Sequence, residues 1–137
     1  MAQTLIVSSH AEPVQYPGVH GGSGPPLLWS CFARRGMVWS EIEGFEAARL
    51  QPGATIAEHT HSRTDEIYLI SEGHGHMTLD GGEPFAVAPG DLVMLPRGHS
   101  HGLVNSGDEE LVIVVVEFLP GEMADLLPPR APAMEAV

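Results

Sequence analysis

The chain has 137 residues, of which 18 are acidic and 6 are Lys or Arg, and its formal net charge is −12. This length predicts one compact domain. The acidic balance argues against nucleic acid or an anionic membrane as a partner, because phosphate binding needs clustered positive charge. All six basic residues are Arg, which excludes mechanisms that use a lysine Schiff base or a lysine general base.

The cellular compartment follows from cysteine content and hydropathy. Cys31 is the single cysteine, so no intrachain disulfide can form. The N-terminus has no basic region ahead of an apolar segment, unlike a secretory signal. The longest apolar run, 111–116, is far too short to span a membrane. We therefore expect a cytoplasmic protein.

Short strands separated by turns account for most of the sequence. The 16 Gly and 12 Pro residues are spread along the chain and leave little room for helices. The predicted strands are 27–33, 46–50, 55–60, 67–71, 76–79, 85–88, 92–95, 101–105 and 111–118. Asp80-Gly81-Gly82 predicts a hairpin turn between two of them. The pattern predicts an all-β sandwich or barrel, in which the wholly apolar run 111–116 is a strand covered on both faces.

The two ends differ from this central body. Residues 1–26 are rich in Pro and Gly and predict an extended N-terminal arm. Residues 120–137 form a Pro-rich tail with one short helix predicted at 122–127. The barrel domain is therefore predicted to be 27–119.

Histidine and glutamate cluster between Gly53 and Gly73. In His59-Thr60-His61 the two imidazoles lie on the same face of a strand, because side chains alternate with a period of two. Two such side chains converge as metal ligands. Glu66 follows a predicted turn, and we expect a hairpin to place its carboxylate opposite the imidazoles.

A second segment supplies a fourth candidate ligand. Gly90 is followed after five residues by Pro96, then by Gly98, His101 and Asn105. Together the two segments resemble, position for position, the two motifs of the cupin superfamily. The members of that superfamily are small double-stranded β-helix (jelly-roll) barrels that hold a metal.

The resemblance implies a metal site made of His59, His61, Glu66 and His101. Three neutral imidazoles and one carboxylate suit one divalent transition metal: Fe, Mn, Ni, Co, Cu or Zn. Four protein ligands on an octahedral ion leave two adjacent positions open, where a substrate can chelate or O₂ can bind beside it.

Two other residues are candidates for catalysis beside Glu66. Tyr68 shares the strand parity of Glu66 and is either a hydrogen-bond donor to substrate or an ordinary core tyrosine. His99 precedes His101 by two residues and is either a general base at the barrel mouth or a solvated loop histidine.

Three functions fit these features. The first is a Lewis-acid enzyme, a cyclase, isomerase or lyase, acting on an oxygen-rich small molecule; the segment 20–24 and the flanks of the motifs resemble cupin cyclases of aromatic polyketide pathways. The second is a cupin dioxygenase, and the third is a small-molecule binding or sensor module without turnover. Cupins of this size also imply a homodimer, for which the arm before Leu27 is a candidate contact.

Overall fold

The computed structural model describes residues 13–35 and 41–124, most of which lie in ten antiparallel strands. The strands are β1 (Val14–Tyr16), β2 (Leu27–Arg34), β3 (Ile42–Leu50), β4 (Thr55–Thr60), β5 (Asp65–Glu72), β6 (Gly75–Leu79), β7 (Phe85–Val87), β8 (Leu92–Leu95), β9 (Ser100–Val104) and β10 (Leu111–Phe118). Every predicted strand is present, and the predicted all-β jelly-roll class is confirmed.

Two sheets face each other across the interior. One has six strands in the order β1-β2-β3-β10-β5-β8, and the other has four in the order β4-β9-β6-β7. The predicted turn at Asp80-Gly81-Gly82 joins β6 and β7, which pair as a hairpin. Successive side chains on each strand point alternately into the barrel and away from it.

The interior changes character along the strands. Three successive inward-facing rows cross β3, β10 and β5 in register: Ala48, Ile113 and Ile70; Glu46, Val115 and Tyr68; and Gly44, Glu117 and Glu66. The first row continues into an apolar core that includes Leu50 and Leu111, both fully buried. The third row carries two buried carboxylates, so one end of the barrel is apolar and the other is polar.

Two residues of the sequence motifs, Asn105 and Gly73, hold the loops of the barrel in place and are not metal ligands. Asn105 Nδ2 donates to the carbonyls of Leu50 and Glu109 at 2.7 and 2.8 Å, and its Oδ1 accepts from the Gly107 amide at 3.0 Å. Gly73 has φ +77°, and a Cβ there would lie 2.3 Å from the Glu110 carbonyl oxygen. Both therefore fix loops that a side chain of another type would disrupt.

The described part of the predicted arm lies against the barrel of its own chain. β1 pairs with β2, and a 3₁₀ turn at Val19–Gly21 leads to Ser23, which exchanges hydrogen bonds with Thr55 on β4. The helix predicted at 122–127 corresponds to α1 (Gly121–Ala124); residues 125–137, with the rest of the predicted tail, and 1–12 lie outside the described residues. No helix in the described ranges is long and apolar enough to cross a membrane.

Candidate metal centre

The four predicted ligands converge at the polar end of the barrel. His59 on β4 and His101 on β9 are direct cross-strand partners in the four-stranded sheet. His61 follows β4 on the same face as His59. The backbone amide of Gly98, in the second motif, donates to the His61 carbonyl at 2.9 Å and ties the two motifs together.

Glu66 reaches this cluster by a different route from the one predicted. The expected hairpin between β4 and β5 is wrong, since β4 pairs with β9 whereas β5 pairs with β10 and β8. The two strands belong to opposite sheets, and the turn at 62–64 carries the chain from one to the other. Glu66 therefore points across the interior toward the imidazoles.

The spacing of the ligand atoms fits one metal ion. His59 Nε2 is 3.0 Å from His61 Nε2, and Glu66 Oε2 is 2.9 Å from His101 Nε2 and 3.4 Å from His61 Nε2. One ligand atom from each of the four residues lies within 4.8 Å of the others. Two ligands about 2.1 Å from an ion and at right angles stand about 3.0 Å apart, so these distances match neighbouring positions around a single centre.

Hydrogen bonds orient two of the imidazoles. His59 Nδ1 lies 2.8 Å from the Ala57 carbonyl, which can only accept, so Nδ1 carries the proton and Nε2 offers its lone pair to the cluster. His61 Nδ1 is 3.1 Å from Oγ1 of Thr64, which is fully buried. These contacts are of the kind that holds a histidine in the tautomer a metal requires.

The imidazoles are held neutral. Burial lowers the pKa of His59, His61 and His101 to about 4 in each case, because a charged imidazole loses its hydration inside the barrel. A neutral imidazole is the form that coordinates metal. The donor set, its spacing and its protonation state therefore all fit a divalent transition metal.

A cavity of about 290 Å³ opens beside this cluster and is lined by residues of both sheets. Tyr68 lines it, is 3% exposed and has its ring edge-on to His101 with centroids 5.5 Å apart. Burial raises the pKa of the Tyr68 phenol well above 10, so its hydroxyl stays protonated. Glu46 and Glu117 add two more buried carboxylates to the lining.

His20 is a neighbour of the cluster that the sequence did not indicate. Its ring stacks on His59 with centroids 3.6 Å apart and lines the same cavity. It sits in the 3₁₀ turn with φ 52°, a conformation uncommon outside glycine. The sequence placed His20 in the extended N-terminal arm and in the segment 20–24 that resembles cupin cyclases, but gave it no role at the metal site.

His99 does not line the cavity that Glu66 and Tyr68, the other two predicted catalytic residues, share. Its side chain is 59% exposed, and its Nδ1 is 2.8 Å from Asp80 Oδ2. This hydrogen bond lowers the pKa of the Asp80 carboxyl. His99 lines a second, smaller cavity of about 110 Å³ with Asp80 and His101, whereas Tyr68, Glu66, His59 and His61 line the cavity of about 290 Å³.

The arginines of the described ranges are all paired with carboxylates. Arg34 pairs with Glu46, while Arg35 and Arg63 both approach the fully buried Glu43. On the outside, Arg49 pairs with Glu110 and Arg97 with Asp65. Positive charge in this part of the chain is therefore locally compensated.

The fold and the ligand set together identify the family. Residues 47–117 match the family model described as "Cupin domain". The chain belongs to the cupin family. Its matched region contains all four candidate ligands, whereas the arm with His20 and the strand with Arg34 lie outside it.

This cupin has relatives and structural neighbours of several kinds. It is 27% identical over 115 residues to an oxalate-binding protein of Thermotoga maritima, covering 84% of this chain and 93% of that protein. It is 36% identical over 67 residues to Polyketide synthase CurC of Streptomyces cyaneus, a match covering 49% of this chain and 43% of that protein.

A crystal structure of a predicted oxalate decarboxylase from Thermotoga maritima superposes on this cupin with a TM-score of 0.77 at 25% identity, covering 85% of this chain and 99% of that one. A cupin 2 conserved barrel domain protein from Salinispora arenicola has a TM-score of 0.68 at 22% identity and covers 92% of this chain and 96% of that one, which shows the shared fold.

Proposed function

We propose that this cupin is a metal-dependent enzyme that binds a small, oxygen-rich molecule in the barrel and transforms it by Lewis-acid chemistry. His59, His61, Glu66 and His101 would hold one divalent transition metal. The observation that carries the proposal is the convergence of these four side chains at ligand spacing, three of which (His59, His61 and Glu66) line a cavity of about 290 Å³. A closed structural site would have no such cavity beside it.

The protein ligands set the preference for a substrate. Three neutral imidazoles and one carboxylate leave a net charge of about +1 at a divalent centre, which favours an enolate or a carboxylate. When bound, the metal would polarise substrate oxygen atoms. A molecule that offers two neighbouring oxygens is therefore the best match to a centre with four protein ligands.

Two side chains of β5 would handle protons and hydrogen bonds. The Tyr68 hydroxyl, held protonated by burial, would donate to a substrate oxygen in the cavity. Glu66 would accept a proton from a substrate carbon or hydroxyl next to its carboxylate. His99 has no such role in this proposal, because its exposed imidazole lies away from the cavity.

The relatives support the choice of chelating probes. An oxalate-binding protein matches most of the chain, and oxalate offers two neighbouring oxygens. The partial match to a polyketide synthase supports testing β-diketones, which chelate as enolates. Binding without turnover stays a second candidate function, because a relative that matches 84% of this chain is named for binding.

Ligand spectroscopy tests the chelation step. Cobalt(II)-loaded protein should show a changed visible spectrum on addition of oxalate or acetylacetone, because each would occupy two neighbouring positions. His76→Ala is a matched control, since His76 is exposed and bonds to Ser106 away from the cluster. An unchanged spectrum with every bidentate oxygen ligand, on protein that holds cobalt, would exclude this function.

Turnover assays then separate the reaction classes. Glu66→Gln keeps the size of the side chain but removes its charge and its capacity to accept a proton, so turnover should fall on the order of a hundredfold. Activity without oxygen would support a cyclase, isomerase or lyase, and stoichiometric O₂ uptake would favour the dioxygenase. If ligands bind but no keto acid, diketone or diol is converted, the remaining candidate function is small-molecule binding without turnover.

We also propose a homodimer formed through the outer face of the six-stranded sheet. Two outward rows cross β3, β10, β5 and β8 in register: Phe45, Val116, Ile67 and Met94; and Ala47, Val114, Leu69 and Leu92. No charged residue interrupts them, and Leu92 and Met94 are 55% and 57% exposed. The same face of a second copy would cover these rows. Such cover agrees with the wholly apolar run 111–116 in β10, which is typical of a strand covered on both faces.

Light scattering tests this assembly. The wild-type chain should be a dimer at micromolar concentration, and Leu92→Glu with Met94→Glu should give a monomer. Deleting residues 1–12 is the matched control, because it leaves both rows intact. A dimer that survives the double substitution but not the deletion would assign the contact to the arm.

A further inference from the structure

A buried guanidinium lies in the cavity wall, away from the metal ligands. Arg34, at the end of β2, is 7% exposed and lines the same cavity as His59, His61 and Glu66. A buried arginine is costly unless its donors are satisfied. The N–H groups of Arg34 must therefore be satisfied either by neighbouring protein groups or by a ligand in the cavity.

A β-bulge turns Arg34 toward the interior. Cys31 pairs with Glu46 and Arg34 with Gly44, so three steps along β2 match two steps along β3. The extra residue shifts the alternation of β2, and Arg34 faces inward where regular alternation would place Ala33. Gly44 makes room for it, since a Cβ there would lie 2.7 Å from Arg34 Nη1.

The donors of Arg34 are only partly used. Nη1 is 2.5 Å from Glu46 Oε1, and the other oxygen of Glu46 accepts from Trp29 Nε1 at 2.8 Å. Arg34 Nε is buried and has no hydrogen-bond partner among the described residues. An ion pair with a structural role alone would leave this N–H unsatisfied, which costs stability, whereas an acceptor on a ligand would satisfy it.

The sheet fixes how far this donor lies from the metal ligands. Arg34, Gly44, Glu117 and Glu66 are successive partners across β2, β3, β10 and β5. Three strand spacings of about 4.8 Å separate the ends of this row, which is about 14 Å measured along the curved sheet. A ligand held at Glu66 and its neighbours reaches Arg34 only with a second polar group several atoms away.

We propose that Arg34 binds a carboxylate at the end of the substrate remote from the metal. The substrate class is then a keto acid with chelating oxygens at one end and a second carboxylate several carbons along the chain. Guanidinium and carboxylate form strong charge-assisted hydrogen bonds, which suits the unused N–H. This inference rests on the proposed function, because the chelating end requires the metal site.

Calorimetry with two matched acids tests the inference on the cobalt-loaded full chain. 2-Oxoglutarate and 2-oxopentanoate share the chelating group and the chain length, but only the first has a distal carboxylate. The affinity of the wild-type protein for 2-oxoglutarate should exceed its affinity for 2-oxopentanoate by about tenfold or more. Arg34→Gln should abolish this preference and leave the affinity for oxalate, which is too short to reach Arg34, unchanged.

A second variant separates ligand binding from a purely structural ion pair. Glu46→Gln removes the negative charge that competes for the guanidinium, so affinity for 2-oxoglutarate should rise severalfold while that for 2-oxopentanoate stays constant. If Arg34→Gln does not fold, the affinities of the wild-type protein and of Glu46→Gln for the two acids still test the inference.

Three results would overturn the inference. Equal affinity of the wild-type protein for both acids, a preference that persists in Arg34→Gln, or weaker 2-oxoglutarate binding in Glu46→Gln would each show that Arg34 does not receive the carboxylate. If oxalate and both acids fail to bind cobalt-loaded protein, the proposed function fails as well, so the two failures are distinguishable.

Discussion

The cavity has two walls that are specified in different ways. The ligand wall consists of His59, His61 and Glu66, which lie within one short motif, with His101 behind them. The guanidinium wall consists of Trp29, Arg34 and Glu46, which come from two strands and match no motif. The ligand wall requires local spacing and a turn between sheets, whereas the guanidinium wall requires correct pairing of β2 with β3, including its bulge.

This difference separates two parts of the site's function. A metal centre has fixed requirements for donor type and distance, so its residues form a recognisable pattern. The opposite wall must fit one particular molecule, so its residues differ with the substrate. Variants of the ligand wall should therefore change metal binding, and variants of the guanidinium wall should change the choice of substrate.

The double variant His59→Ala/His61→Ala should lose the metal entirely. It removes two of four donors, and the remaining pair cannot hold an ion against dialysis. Metal analysis should give about one ion per chain for the wild type and under about a tenth for the variant. Arg34→Gln should retain the wild-type content; metal loss in that variant would mean that the two walls are not independent.

Acid should destabilise the metal-free protein, because the buried imidazoles of the ligand wall take up protons more readily in the unfolded chain. The unfolded chain takes up protons near pH 6.5, but burial lowers the pKa of His101 to about 4, so between these values the unfolded state binds more protons. Stability is therefore complete above pH 6.5 and falls as the pH drops. From His101 alone, the free energy of unfolding should decrease by about 2 kcal/mol between pH 7 and 5.

Urea denaturation of chelator-treated protein at these two pH values measures this loss. His101→Gln should show a smaller decrease than the wild type, because it removes one of the three buried imidazoles. An unfolding free energy that is the same at both values would contradict neutral, buried ligands.

Thr64→Ala should weaken metal binding by about 10- to 100-fold, the usual effect of removing a partner that orients a ligand. Thr64 Oγ1 lies 3.1 Å from His61 Nδ1, and the substitution leaves that nitrogen without its partner. Competition with a chromophoric chelator gives the affinity. Thr64→Ser retains the hydroxyl and should bind metal as the wild type does; equal weakening in both variants would point to packing as the cause.

Gly44→Ala should give the smallest effect and confine it to the guanidinium wall. The new methyl group would stand 2.7 Å from Arg34 Nη1 and force the guanidinium to shift. Affinity for 2-oxoglutarate should fall severalfold, while metal content and affinity for 2-oxopentanoate stay constant. A loss of affinity for both acids would assign the effect to the cavity as a whole.

The ligand wall was largely predictable from sequence. Alternation placed His59 and His61 on one face, and motif spacing indicated Glu66 and His101. The predicted hairpin between β4 and β5 was wrong, because a short turn has the same sequence pattern whether the chain stays in one sheet or crosses to the other. Only the pairing partners of β4 and β5 distinguish the two.

The guanidinium wall could not be predicted in the same way. Strand β3 (Ile42–Leu50) begins four residues before the predicted strand 46–50, because Glu43 and Gly44 interrupt the apolar pattern there. The contacts of Glu46 with Arg34 and Trp29 depend on pairing between strands, which the sequence does not reveal. The bulge in β2 breaks the period of two on which orientation from sequence depends. His20 was missed for a related reason, since its position results from long-range packing of the 3₁₀ turn on β4.

The pairing of the arginines has a consequence for the speed of binding. Because every arginine of the described ranges is matched by a carboxylate, no concentrated positive region within those ranges offsets the formal charge of −12 on the whole chain. An anionic substrate would approach against a repulsive long-range field, even though the interior suits it. Added salt screens that field, so the association rate of a dicarboxylate should increase with ionic strength, the reverse of electrostatic steering.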